Sequence, residues 1–255
     1  MTNSVIAAQL YTVRDACKTA AELAATLKRI REIGYQAVQI SGIGPIDPHD
    51  VKRILNDTGL HCCITHIGLD TMRNEFDAVI EKHRLWNCPY SAIGGFFPKE
   101  PFDLNLWQGF VDQYNQLVAK YAAAGLQIGY HNHSHELTRI GQTTPLHILV
   151  SGLLAPAFIE IDTYWITHGG GDPIEWINRC TGRLPFIHLK DMAIVSGQQR
   201  MAPVGEGNLN MAGIIASATR AGTRWFIVEQ DDCYGRDPFD CLATSFRNLR
   251  ELGLR

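Results

Sequence analysis

Short apolar runs alternate with longer amphipathic segments along the whole chain. The runs are continuous and four to six residues long, as expected for parallel strands that are covered by helices on their outer side. They predict eight strands, at positions 5–10, 35–40, 61–65, 90–93, from 126 onward, 158–162, 184–189 and 225–228.

The segments between these runs carry helix signals. Thr19 with Glu22 forms a capping-box pattern, and Gly34 stands where that helix would stop. An aspartate followed by proline, typical of a helix start, occurs at 47–48, 172–173 and 237–238. Strand starts recur roughly every 25 to 40 residues. We therefore predict an α/β fold, a single (β/α)8 TIM barrel that occupies residues 1–255 as one domain.

The amino-acid composition and net charge limit the kinds of partner that we expect the protein to bind. The chain has 255 residues, 45% of them hydrophobic, and 23 basic against 26 acidic side chains give a net charge of −3. A nearly neutral chain has no electrostatic footprint for nucleic acid or for an anionic membrane. No apolar stretch is long enough for a membrane span or a secretory signal, and the seven cysteines include no CxxC pair. We expect a cytoplasmic protein with reduced thiols and a small-molecule partner.

Polar, metal-competent side chains follow four of the predicted strands. The stretch 129–136 holds three histidines and Glu136, and Asp162, His188 and Glu229 end the next three strands along the chain. Because the carboxyl ends of barrel strands meet at one rim, we expect these side chains to converge. A set of carboxylates and imidazoles suits Mn²⁺, Mg²⁺, Co²⁺ or Zn²⁺.

The residue motifs at these strand ends resemble those of one known family. The motifs are Tyr130-His131-Asn132-His133 with Glu136, Asp162-Thr163-Tyr164-Trp165, His188-Leu189-Lys190-Asp191, Gly205-Glu206-Gly207 and Glu229-Gln230-Asp231. Together they are similar to the xylose isomerase-like TIM barrels known as sugar phosphate isomerases/epimerases. The resemblance covers nearly the whole chain.

This resemblance implies a cofactor and its ligands. One divalent metal ion, Mn²⁺ first with Mg²⁺, Co²⁺ or Zn²⁺ as alternatives, would be held by Glu136, Asp162, His188 and Glu229. The ligand from strand five stays open, because in many relatives it stands nearer the strand end. His131 or His133 is then the alternative to Glu136.

The chemistry expected of such a site is proton transfer next to a sugar carbonyl. A divalent ion stabilises the enediolate that forms when the α-proton leaves. Glu136 and Glu229, on different strands, are the candidate bases for an isomerase or epimerase. Lys190 would donate to an oxyanion, or protonate a leaving hydroxyl and so favour a lyase or dehydratase acting on keto-sugars or keto-inositols.

Five further residues are candidates for substrate binding. His66 ends strand three and either contacts the substrate or braces the rim. Trp165 either stacks on a sugar face or packs under a lid. Glu206 lies between two glycines and either binds hydroxyls or caps a helix. His131 and His133 complete the set.

Two other functions compete with a sugar enzyme. A nuclease like endonuclease IV needs more ligands, and the first two strands end without any, at Gln9-Leu10-Tyr11 and Ile40-Ser41-Gly42. A non-catalytic sugar-binding barrel is possible because a fold does not fix a function. We expect a sugar or keto-sugar substrate, no nucleic acid or membrane partner, and a possible homo-oligomer.

Overall fold

Eight parallel strands close into a barrel in the computed structural model, which describes residues 4–99 and 103–255. The barrel strands are β1 Val5–Gln9, β2 Ala37–Ile40, β3 His61–His66, β4 Tyr90–Ile93, β5 Gln127–His131, β6 Phe158–Asp162, β7 Phe186–Leu189 and β10 Trp225–Val228. Going round the barrel from β1, the neighbours are β10, β7, β6, β5, β4, β3 and β2. The predicted (β/α)8 barrel is confirmed.

Helices cover the outside of the barrel. They are α1 Ala20–Ile33, α2 Pro48–Thr58, α3 Leu69–Asn74, α4 Phe76–Trp86, α5 Leu104–Ala123, α6 Pro145–Gly152, α7 Thr163–His168, α8 Pro173–Arg179, α9 Met211–Ala221 and α10 Pro238–Glu251. The capping hydrogen bonds expected at the predicted helix starts are present. Thr19 and Glu22 make both bonds of a capping box, and Asp47, Asp172 and Asp237 each accept a backbone N–H at a helix start.

Three local details differ from the sequence prediction. Between β3 and β4, where the alternation of strands and helices predicts one helix, the chain forms two, α3 and α4, separated at Glu75. The strands predicted from Tyr35 and Leu184 begin two residues later, at Ala37 and Phe186. An antiparallel hairpin, β8 Asp191–Val195 and β9 Gln198–Ala202, extends from the end of β7 and was not predicted.

Side chains inside the barrel follow the alternation of the strands. Phe158 and Phe186 belong to the apolar cluster that fills the lower part of the barrel, whereas their neighbours Ile159 and Ile187 belong to the larger core under the helices. Gly129 makes room for this filling, because a Cβ at that position would lie 2.4 Å from the Phe158 ring. The apolar layer therefore closes the amino end and leaves the carboxyl end to polar residues.

None of the helices described, within residues 4–99 and 103–255, combines the length and the apolar content that crossing a bilayer requires.

Candidate metal centre and its cavity

The inward alternation of the strands continues into polar residues at the carboxyl end. In β6 the inward residues are Phe158, Glu160 and Asp162, and in β7 Phe186 is followed on the same side by His188. Asp162 and His188 are register partners on these adjacent strands. Each of these two strands thus places a phenylalanine low in the barrel and one or two polar residues above it.

Four buried side chains converge on one point at this end. They are His131, Asp162, His188 and Glu229, and one ligand atom from each lies within 4.8 Å of the others. His131 Nε2 is 3.4 Å from Asp162 Oδ2, and His188 Nδ1 is 3.0 Å from Glu229 Oε2 and 3.7 Å from Asp162 Oδ2. We call these four residues the cluster.

His131 presents a free lone pair to the cluster. Its Nδ1 donates to the carbonyl oxygen of Gly94 at 3.3 Å, which leaves Nε2 as the acceptor nitrogen of a neutral ring. Burial, together with the nearby His188, lowers the pKa of His131, so the neutral form is favoured. A neutral imidazole whose other nitrogen donates to a carbonyl is the usual state of a metal-binding histidine.

His188 is oriented from below by two buried residues. Its Nε2 lies 2.6 Å from Gln39 Oε1 and 3.2 Å from Glu160 Oε1. Burial disfavours the charged ring, but the carboxylates of Glu160 and Glu229 outweigh it and raise the pKa of His188 well above its usual range. Because Nε2 faces Gln39 and Glu160, Nδ1 faces the cluster, where it must give up its proton before it can bind a metal ion.

Glu160 is a second buried carboxylate beneath the cluster. It accepts hydrogen bonds from the Gln39 amide at 3.2 and 3.3 Å, and its Oε2 lies 2.6 Å from His66 Nε2. His66 and His188 hold the pKa of Glu160 well below its ordinary value although burial opposes this. Glu160 thus links three side chains that surround the floor of the site.

Lys190 brings a buried cation to the same place. Its ammonium lies 2.8 Å from Glu229 Oε2, 3.2 Å from Asp162 Oδ2 and 3.0 Å from both carboxylate oxygens of Asp231. Burial disfavours the charge, but Asp162, Glu229 and Asp231 outweigh this and raise the pKa of Lys190. The side chain is held in its charged form.

The donor atoms of the cluster fit a divalent cation. His131 Nε2 is buried without a hydrogen-bond partner, and Asp162 Oδ2 is buried with the Lys190 ammonium at 3.2 Å as an ion pair; both face the point where the four side chains converge. Buried polar atoms without a partner carry a free-energy cost that a cation between them would remove. Two imidazoles and two carboxylates are a ligand set for a transition metal of borderline softness such as Mn²⁺, Co²⁺ or Zn²⁺.

Glu136 lies apart from the cluster. The chain turns into a short 3₁₀ helix, His135–Leu137, where Glu136 accepts hydrogen bonds from the Tyr130 hydroxyl and the His133 backbone N–H, both at 2.7 Å. Tyr130 alternates with His131 and points out of the barrel, so the carboxyl that it binds lies outside the lumen. In strand five the structure brings His131, the alternative to Glu136, into the cluster.

A cavity of about 480 Å³ opens above the cluster. Of the predicted residues, its lining includes His66, His131, His133, Lys190 and Glu229. The lining also contains Tyr11, Arg14, Ser41, Ile67, Gly68, Gly94, Gly95, Phe97 and Asp231. The cavity therefore joins the cluster to a mouth that carries aromatic and cationic side chains.

Two predicted substrate-binding residues lie elsewhere. Trp165 packs against two residues that line the cavity, with its ring 5.3 Å from the His133 ring and 5.4 Å from Lys190 Nζ, and its backbone N–H donates to Asp162 Oδ1. Glu206 is exposed and pairs with Arg236 at 2.6 Å, beside a separate surface depression. Neither is among the residues that line the cavity over the described part of the chain.

Three polar residues that contact the cluster or Lys190 were not predicted from the sequence: Gln39, Glu160 and Asp231. A signal for two of them exists. Gln39 and Glu160 interrupt otherwise apolar strands on the inward side, at a spacing of two from residues that fill the barrel. A polar residue at such a position needs a buried polar partner, which points to the site.

Comparisons with known proteins agree with this architecture. A curated relative, inosose dehydratase of Geobacillus kaustophilus (strain HTA426), is 24% identical over 190 residues, which cover 65% of this chain and 61% of the dehydratase. The solved structure of a sugar phosphate isomerase/epimerase from Parabacteroides distasonis ATCC 8503 superposes with a TM-score of 0.82 at 20% identity, covering 96% of this chain and 97% of that one. An L-ribulose 3-epimerase structure gives 0.76 at 16% identity, covering 98% and 94%.

The sequence model of one family matches residues 27–252, which is most of the chain. Its description, a xylose isomerase-like TIM barrel, agrees with the closed eight-stranded barrel and with the family that the strand ends resemble. This chain belongs to the family of xylose isomerase-like TIM barrels.

Proposed function

We propose that this protein is a divalent-metal-dependent sugar isomerase or epimerase that moves a proton next to the carbonyl of its substrate. The observation that carries the proposal is the convergence of His131, Asp162, His188 and Glu229 on the floor of an open cavity. The similarity to an L-ribulose 3-epimerase structure agrees with this class of reaction. The substrate that suits the cavity is a small sugar or keto-sugar.

The four cluster residues would hold the ion, which we expect to be Mn²⁺. When bound, such an ion supplies Lewis acidity to a carbonyl and its neighbouring hydroxyl. The protein's own part is to keep His131 neutral through Gly94 and to orient His188 through Gln39. These contacts fix the donor atoms before the substrate arrives, which reduces the cost of ordering them in the reaction.

Glu229 is the candidate base. Its Oε2 faces His188, and because a carboxylate has two oxygens, the other can take a proton from a carbon in the cavity that Glu229 lines. An isomerase needs one such base, which carries the proton between two adjacent carbons on one face. An epimerase needs a second group on the opposite face, for which His66 and His133 are the cavity-lining candidates.

Elimination of water is the second candidate function. The observation that favours it is the 2.8 Å distance between Lys190 Nζ and Glu229 Oε2, which places a proton donor beside the base. Glu229 would remove the α-proton and Lys190 would protonate the departing hydroxyl, so that water leaves and a double bond forms. The curated relative is a dehydratase, which agrees with this alternative.

The test is carbon-bound proton exchange. Metal-loaded protein is incubated in deuterated water with a panel of unphosphorylated ketohexoses, pentuloses and keto-inositols, and the products are read by NMR. We expect deuterium next to the carbonyl in the product, and a loss of about 10²–10⁴-fold in rate for Glu229→Gln. Glu206→Gln, which removes an exposed acid outside the cavity, is the matched control.

The product separates the two functions. A sugar isomer of unchanged mass, apart from deuterium, supports the isomerase or epimerase, whereas loss of one water supports the dehydratase. Turnover by Glu229→Gln at the rate of the Glu206→Gln control would contradict the assigned role of Glu229.

A further inference from the structure

The Lys190 ammonium shares its oxygen partners with the cluster. It lies 2.8 Å from Glu229 Oε2 and 3.2 Å from Asp162 Oδ2, the two carboxylate oxygens that also approach His188 Nδ1. The lysine side chain is 1% exposed, so bulk water does not screen its charge. Any cation that the cluster binds must therefore share these oxygens with Lys190.

Asp231 offers the same ammonium a different pair of oxygens. Both of its carboxylate oxygens lie 3.0 Å from Lys190 Nζ, and its side chain is 25% exposed on the cavity side. Asp231 follows Glu229 by two residues, beyond the end of β10, and is not a member of the cluster. An ammonium has three N–H donors, so these two oxygens can satisfy most of its hydrogen-bonding capacity.

The two sets of oxygens give Lys190 two ways to be neutralised. Close to a divalent ion the ammonium would be repelled, while the Asp231 carboxylate would still attract it. The distances require little movement of the lysine, because all four oxygens lie within 3.2 Å of Nζ. A carboxylate at position 231 thus lowers the cost of bringing a second cation into the site.

We propose that Asp231 is a positioning residue that draws the Lys190 ammonium off the Asp162 and Glu229 oxygens, and thereby sets the affinity of the cluster for a divalent ion. The inference rests on the metal site of the proposed function. It assigns Asp231 no contact with the ion, and it predicts that its effect depends on Lys190.

The experiment measures Mn²⁺ binding to metal-stripped protein by titration calorimetry. We expect Asp231→Asn to weaken binding about 10–100-fold, the range found when the outer partners of metal ligands are removed. The matched control is Asp232→Asn, which loses the same charge one residue away, where the side chain is exposed and caps the Tyr234 N–H. We expect this control to bind Mn²⁺ like the wild type.

The lysine variant isolates the mechanism. Lys190→Gln removes the competing charge and is expected to bind Mn²⁺ at least as tightly as the wild type. In that background, adding Asp231→Asn should change the affinity very little. An equal loss from Asp231→Asn with and without Lys190 would overturn the proposal, because Asp231 would then act on the ion directly.

A conservative variant distinguishes a loss of Mn²⁺ affinity from misfolding. Asp231→Glu retains the charge and should bind Mn²⁺ close to the wild type, and thermal melting of every metal-free variant reports whether it folds. Wild-type protein that binds no ion would overturn the proposed metal site and this inference together. Wild-type binding with Asp231→Asn equal to Asp232→Asn would overturn this inference alone.

Discussion

Gln39 Oε1 accepts a hydrogen bond from His188 Nε2 at 2.6 Å, and both side chains are fully buried. The two residues lie on strands β2 and β7, which are not neighbours in the barrel, so the contact crosses its interior. When the His188 ring is neutral, this contact keeps the proton on Nε2 and leaves the Nδ1 lone pair for the cluster. A glutamine that the sequence shows only as one polar residue within an apolar strand thus orients a candidate metal ligand.

We predict that Gln39→Leu weakens divalent-ion binding about 10–100-fold, as loss of a ligand's outer partner does. The change removes the acceptor for His188 Nε2 and also the amide that donates to Glu160. Titration of metal-stripped protein with Mn²⁺ measures it. Gln9→Leu is the matched control, because Gln9 is buried and pairs with Gln39 in register but accepts from the Tyr11 N–H. Equal affinities for the two variants would contradict this role.

A second prediction concerns strand five. His131→Ala should remove the bound ion, because it deletes one of the four cluster donors, whereas Glu136→Gln should retain it, because the Glu136 carboxyl is engaged by Tyr130 and the His133 backbone. Metal content by mass spectrometry after purification and reconstitution separates the two. Loss of the ion in Glu136→Gln with retention in His131→Ala would favour the ligand set implied by the family resemblance.

The fold was predictable because its signals are local and repeated. Each strand is a short apolar run, and helix starts such as Asp47-Pro48 and Asp237-Pro238 carry their own caps. The hairpin β8–β9 was not predictable in this way. Met192 packs with Met201 in a small apolar cluster, but Ile194 and Val195 remain exposed, so its sequence lacks the continuous apolar run of a barrel strand.

The site was predictable only in part, for a geometric reason. Asp162 and His188 follow directly from the inward alternation of their strands. Glu136 stands beyond the end of β5, where the alternation stops and the path of the chain is set by a 3₁₀ turn. The contacts of Glu160 and Gln39 join residues 121 positions apart, which no local pattern records.

Burial of Glu136 predicts a pH-dependent stability. Desolvation raises the pKa of Glu136 to about 8 from 4.5, although Tyr130 and the His133 N–H stabilise its charge. The folded state thus favours the protonated acid. Its stabilising contribution is complete below pH 4.5 and is lost as the pH rises toward 8, because the unfolded chain ionises more readily.

We therefore expect the free energy of unfolding of the metal-stripped wild type to fall relative to that of Glu136→Gln across this window. Each unit of pKa difference between the folded and unfolded states corresponds to about 1.4 kcal/mol, and the total change is a few kcal/mol at most. Urea unfolding at pH 5, 6.5 and 8 measures it. Glu206→Gln, an exposed pair with Arg236, should track the wild type. A difference between wild type and Glu136→Gln that stays constant with pH would show that Glu136 ionises normally.

The last prediction concerns Asp191, whose buried carboxylate organises the loop beside Lys190. Its two oxygens accept four backbone N–H groups at 2.8 to 3.2 Å, from Met192, Gly205, Gly207 and Leu209. This close approach requires glycine at position 207, since a Cβ there would lie 2.2 Å from Asp191 Oδ1.

We expect Gly207→Ala to lower the free energy of unfolding by about 1–3 kcal/mol, the usual cost of overpacking. Urea unfolding at neutral pH measures this change. Gly109→Ala is the control: Gly109 lies within α5, where an added Cβ meets nothing within 4 Å, and alanine there should stabilise the helix by about 0.5–1 kcal/mol. A Gly207→Ala variant as stable as the wild type would show that the Asp191 carboxylate can release these N–H groups without a loss of stability. The loop would then be held by its other contacts, including the Val204 N–H bond to Ser245.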